Sequence, residues 1–100
     1  MPKLLLSMMV ADDVAQAIED LLLSRRDLVS GFSTSAANAH GANVALTEDA
    51  QLVAGHAPRT HFRSIGEEHE MRALLAAIKA ALPQANIYYW LTPVIEAGRL

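Results

Sequence analysis

The chain opens on a short apolar run, Lys3–Val10 (KLLLSMMV), closed off by Asp12 and Asp13. A run of that length without helical spacing predicts a strand buried on both faces. The two aspartates then predict a helix start, because acidic side chains accept hydrogen bonds from free amides and suit the positive end of the dipole. Val14, Ala17, Ile18, Leu21 and Leu22 repeat at helical spacing and form one apolar stripe, with Arg25-Arg26 in the last turn. Leu28–Ala36 predicts a second strand, with Gly31 as a bulge or a close backbone approach. From Ala37 to Ala57 the periodicity fades into small residues and two glycines. This stretch predicts a long, partly mobile connection, and connections of that length often carry function.

After Pro58, Arg59–Ile65 predicts a third strand. Its alternation places Thr60, Phe62 and Ser64 on one face and Arg59, His61 and Arg63 on the other. Gly66 breaks the run, and Glu67 and Glu68 open a second helix. Its stripe is Met71, Leu74, Leu75, Ile78 and Leu82, and Pro83 ends it. Asn86–Thr92, rich in β-forming residues, predicts a fourth strand that Pro93 stops, leaving the tail VIEAGRL.

The order β-α-β-β-α-β predicts an α+β domain with the ferredoxin-like arrangement. Two right-handed crossovers place both helices on one face of a four-stranded antiparallel sheet. Two helices cover one face only, yet the first strand is apolar on both. Leu4, Leu6, Met8 and Val10 alternate with Leu5 and Met9, and the fourth strand sets Ile87, Tyr89 and Leu91 against Tyr88 and Trp90. The second face would expose a large apolar patch, so another subunit is expected to cover it. A homo-oligomer follows from the pattern, without its copy number.

Composition narrows the function classes. One hundred residues, 52% of them apolar, make one domain over 1–100 with a core of its own. The absence of cysteine removes thiolate metal sites and a cysteine nucleophile. Eight basic against eleven acidic residues give a net charge of −3, and the cations are scattered. Nucleic-acid binders need a basic stripe to neutralise phosphates, so nucleic acid is not expected as a partner. The N-terminal apolar run is too short for a membrane span and lacks the flanks of an export signal. A cytoplasmic protein without direct membrane insertion is the default expectation.

His40, His56, His61 and His69 are the strong candidate metal ligands. Imidazole suits zinc, copper and nickel, and a site needs three or four converging ligands. His40 and His56 lie in or beside the long connection, where Glu48, Asp49 or a neighbour's histidine could complete a site; loop histidines with no ligand are the alternative. Arg59 and Arg63 share a strand face with His61 and could hold an anion, such as a nucleotide phosphate. Salt bridging within or between subunits is the other reading of the arginines. Tyr88 and Trp90 read either as packing at a subunit interface or as an aromatic ligand floor. Ser30, Ser33, Thr34 and Ser35 stand near His40 in sequence without a base and an orienting acid to form a set, so no enzyme is expected.

The stretches MRALLAAIKAALPQANIYYWLTPVIEAGRL, GFSTSAANAHG and VAGHAPRTHFR resemble a bacterial PII-like family, domain of unknown function 3240. The resemblance covers nearly the whole chain and is most specific in YYWLTPVIEAGRL. It implies a ferredoxin-like fold, a trimer with the sheets facing inward, and a long loop between the second and third strands. Members of that family tend to be encoded beside heavy-metal efflux systems, which implies metal homeostasis. PII signalling proteins themselves bind ATP between subunits through a glycine- and lysine-rich loop before the last strand. Residues 81–86, ALPQAN, contain neither glycine nor lysine, which makes PII-style ATP binding doubtful.

Together these readings lead to a non-enzymatic PII-like homotrimer. It senses or buffers a transition metal through His40 and His56, or relays metal status to an efflux partner through the 37–57 loop. Two alternatives stand beside it. One is a small-molecule or nucleotide sensor using intersubunit clefts and Arg59/Arg63; the other is a structural adaptor for a membrane efflux complex.

Overall fold

The computed structural model describes residues 2–41 and 57–100. Its elements are β1 (Lys3–Ala11), α1 (Asp12–Ser24), β2 (Ser33–Ala39), β3 (Ala57–Glu67), α2 (Glu68–Ala81) and β4 (Tyr88–Val94). The strands form one antiparallel sheet in the order β2-β3-β1-β4. This is the ferredoxin-like topology that the element order predicts, with both helices packed on β1 and β3.

One residue parity of the sheet builds the core. Leu6, Met8 and Val10 of β1 and Phe62 of β3 point under the helices and are buried. Ile18 and Leu22 of α1 and Met71, Leu74 and Ile78 of α2 close over them, which are the helical stripes expected from spacing. The hydroxyl of Ser64 enters the same layer and donates to the carbonyl of Gly31 at 2.8 Å, so its burial leaves no orphaned donor.

The helix ends differ in chemistry. At α2, Glu67 and Glu70 form a capping box, in which Glu70 Oε1 accepts the Glu67 backbone N–H at 3.0 Å. At α1, Ala11 occupies the N-cap; Asp12 stands in the first turn and accepts a hydrogen bond from Thr60 Oγ1 at 3.0 Å. The expected acidic cap is therefore a helix-to-strand tie. Arg25 lies just past the last turn and forks onto the Asp27 carboxylate with two 3.0 Å contacts.

Three strand boundaries differ from the pattern. The second strand begins at Ser33, because Leu28, Val29 and Phe32 turn inward to plug the end of the core. The strand itself, STSAANA, carries almost no apolar signal. Gly66 continues β3 instead of breaking it, and a Cβ there would come within 2.8 Å of Met71 Cε, so the glycine leaves room for the end of the Met71 side chain. Pro93 lies within β4, tolerated because β4 is an edge strand whose outward N–H has no ladder partner to lose.

Of the expected 37–57 connection, Ala37–Ala39 complete β2 and Ala57 opens β3. His56, Glu48 and Asp49 lie outside the described residues.

Candidate ligand and assembly face

The second face of the sheet carries no helix. Register assigns it Ser33, Ser35 and Ala37 of β2, Arg59, His61, Arg63 and Ile65 of β3, Leu5, Ser7 and Met9 of β1, and Tyr88, Trp90 and Thr92 of β4. The charged groups of this parity are Arg59 and Arg63 along β3 and the Lys3–Glu67 pair at its far end.

Ser7 organises the centre. It pairs with Arg63 on one side and Trp90 on the other, in the middle of an apolar run. Strands β3 and β4 flank β1 and so stand roughly 10 Å apart. A small residue at position 7 leaves room for Trp90 to lie across β1 and meet His61, with ring centroids 5.5 Å apart. Tyr88 meets the same indole in a tilted contact, 48° between planes, with centroids 5.7 Å apart. Ser7 is left only 2% exposed although no helix covers it. The signal for this arrangement was present in the sequence as the one hydroxyl interrupting LLLSMMV.

His61 sits beneath this aromatic cover, and its Nε2 is buried with no hydrogen-bond partner. Desolvation, and secondarily the charge of Arg63, hold its pKa below the ordinary 6.5. The imidazole is therefore neutral in the folded chain at pH values where the unfolded chain has begun to bind a proton. Stability must rise with pH through that window and be lost as pH falls from 6.5 towards the folded pKa. Urea titrations at about pH 7.5 and about pH 5.5 are expected to show this loss, and His61→Phe to reduce it. An unchanged pH dependence in that variant would count against the assignment.

The other predicted site residues are dispersed. Arg63 donates to Ser35 Oγ at 3.3 Å and Arg59 to the Pro58 carbonyl at 3.0 Å. They share one face and bracket His61, as the alternation required. His40 is exposed just beyond β2, and His69 is exposed in the first turn of α2. His56, the partner expected for His40, lies outside the described residues.

A second concavity, not anticipated from the sequence, opens on the helix side between α2 and the start of β4. It encloses about 380 Å³. Leu75, Ile78, Leu82 and Ile87 give it an apolar floor, and Lys79, Asn86 and Tyr89 stand at its rim. Asn86 adopts a left-handed conformation, φ 51°, that reverses the chain into β4. Ligand pockets commonly span about 300–1,000 Å³, so this groove is at the small end.

An antiparallel sheet in the order β2-β3-β1-β4, with two helices on one face, defines a PII-like ferredoxin fold. The chain belongs to the family described as "Protein of unknown function (DUF3240)", whose model matches residues 1–100. It is similar to the crystal structure of a DUF3240 family protein from Shewanella baltica. That similarity has a TM-score of 0.80 and 21% identity over 98% of this chain and 96% of the other. It is also similar to a putative PII-like signalling protein from Thermus thermophilus, with TM-score 0.65 and 13% identity over 94% and 88% of the two chains. A third similar structure is CPII, a nitrogen regulatory PII-like protein from Thiomonas intermedia bound to ADP, AMP and bicarbonate. Here the TM-score is 0.71, with 15% identity over 100% and 97%. Among curated proteins no sequence matches this chain.

These neighbours correct one expectation. A transition-metal cofactor, zinc, copper or nickel, with ATP doubtful, is overturned by PII-like structures of this fold that hold ADP and AMP. The lack of glycine and lysine in residues 81–86 spoke against one way of cradling phosphate. Arginine forks supply another. Among the described residues no group of three or more histidine or acidic side chains is placed to hold a metal ion. Two of these neighbours are a putative signalling protein and a nitrogen regulatory protein. Among the described residues no helix is long and apolar enough to cross a membrane.

Proposed function

We propose that this protein is a non-enzymatic PII-like regulator that works as a homo-oligomer, a trimer by the family pattern. It responds to an adenine nucleotide held where one copy's helix-free face meets the next. The observation that carries the reading is that face itself. It combines the aromatic contacts of Trp90 with His61 and Tyr88 with the two guanidinium groups of Arg59 and Arg63. An aromatic surface beside guanidinium forks fits a ligand that is part flat ring and part phosphate. Kinship of fold with nucleotide-bound CPII supports the same ligand class.

The test is thermal shift with ADP, AMP and ATP. A ligand at about 100 times its dissociation constant adds about 2.7 kcal/mol to stability, enough to move the midpoint by several degrees. Stabilisation by an adenine nucleotide that is lost in Arg59→Ala/Arg63→Ala is the expected result. No stabilisation by any of these nucleotides would remove the reading.

A further inference from the structure

The groove between α2 and β4 has apolar walls, and the same chain carries an apolar segment with no surface of its own to cover. Beyond β4, Ile95–Leu100 runs without regular structure. Ile95, the first residue of that segment, is 103% exposed. Single exposed apolar residues are ordinary, but this segment alternates them with charge, as IEAGRL, and follows a well-formed strand.

The groove is complementary to it in two respects. Its floor is aliphatic, from Leu75, Ile78, Leu82 and Ile87, and its rim carries the cation Lys79. The segment offers Ile95 next to the anion Glu96. A lysine at the edge of an apolar slot favours a partner whose carboxylate sits beside an aliphatic side chain, because the charge pair stays near solvent while the alkyl groups are buried.

Geometry forbids Ile95 from reaching the groove of its own chain. The groove lies at the start of β4, at Ile87 and Tyr89, and the segment leaves from the other end after Val94. At about 3.3 Å per residue, Ile95 is roughly 20 Å from Tyr89 along a rigid strand. We infer that the Ile95–Leu100 segment of one copy docks in the α2–β4 groove of another, Ile95 on the aliphatic floor and Glu96 against Lys79. This rests on the proposal that the chain assembles with itself, and adds a contact that the helix-free face does not supply.

The chain contains no cysteine, so single cysteines can be introduced on a clean background. Ile95→Cys and Ala76→Cys, the latter an exposed position lining the groove, are purified separately, unfolded, mixed, refolded and oxidised. Leu23→Cys, exposed on α1, replaces Ala76→Cys as the control. The expected result is a disulfide-linked dimer in the Ile95→Cys with Ala76→Cys mixture, several-fold above control, and weakened by Lys79→Glu. Light scattering on the same samples separates the two claims. An oligomer without cross-linking above control overturns the docked segment and spares assembly. A monomer overturns both.

Discussion

The Ile65→Asp/Tyr88→Asp variant is expected to be a folded monomer at concentrations where the proposed homo-oligomer forms. Both positions lie on the helix-free face and are exposed in the isolated chain, Ile65 at 40% and Tyr88 at 71%. Neither contributes to the core under the helices, so far-ultraviolet circular dichroism should be unchanged. In an assembled face each aspartate would be desolvated, and removing a tyrosine at the centre of an interface typically costs about 2–4 kcal/mol. The dissociation constant should therefore rise at least about 30-fold. Multi-angle light scattering across a dilution series checks this. A variant that remains assembled with native affinity would move the interface elsewhere and remove the argument from the uncovered apolar face.

That argument was legible in the sequence because it depends on period-two alternation alone. Leu5 and Met9 against Leu6, Met8 and Val10 cannot all face two helices, and the register bears out the division residue by residue. The helices were equally legible, since Ile18/Leu22 and Met71/Leu74/Ile78 repeat at the helical period. What pattern could not assign were positions where apolar side chains serve without period. Leu28, Val29 and Phe32 look like a strand and act as a plug, while the real β2 is small and polar. Propensity reads β2 poorly because an edge strand beside β3 is specified by ladder bonds, not by burial.

The candidate site divides in the same way. Arg59, His61 and Arg63 were placed on one face by alternation, and they share it. The stacking of His61 on Trp90 was not legible, because it crosses an intervening strand and depends on Ser7 being small. The α2–β4 groove was missed for a related reason. Its lining comes from the helix, the loop and the strand, and only Asn86 in its left-handed turn hinted at a chain reversal there. Of the histidine reading, the transition-metal cofactor is what the nucleotide-bound neighbours overturn. Four imidazoles in a chain without cysteine suggest metal, although no spacing ties them together; where described, His61 packs against Trp90 and His40 and His69 are exposed, while His56 lies outside the described residues.

Phe62→Ala should be the most damaging single change to stability. Phe62 lies in β3, pairs with Met8 on one side and Thr34 on the other, and is 1% exposed. Its ring stands 6.0 Å from that of Phe32, which ties the irregular 28–32 segment to the sheet. Truncation would remove the ring from between β1, β2 and the helices and leave a cavity that backbone hydrogen bonds on both edges prevent from closing. Buried Phe→Ala changes cost about 3–5 kcal/mol, a large share of the roughly 5–15 kcal/mol typical of a domain. Because the proposed assembly would add to apparent stability, wild type and variant are compared at one protein concentration. Urea unfolding should show a much lower midpoint with little change in slope, whereas Ile95→Ala should stay within about 0.5 kcal/mol in the dissociated protein. A loss below about 1 kcal/mol for Phe62→Ala would mean the core is centred elsewhere. That result would also undo the parity assignment, since the same alternation that buries Phe62 places His61 and Arg63 on the opposite face.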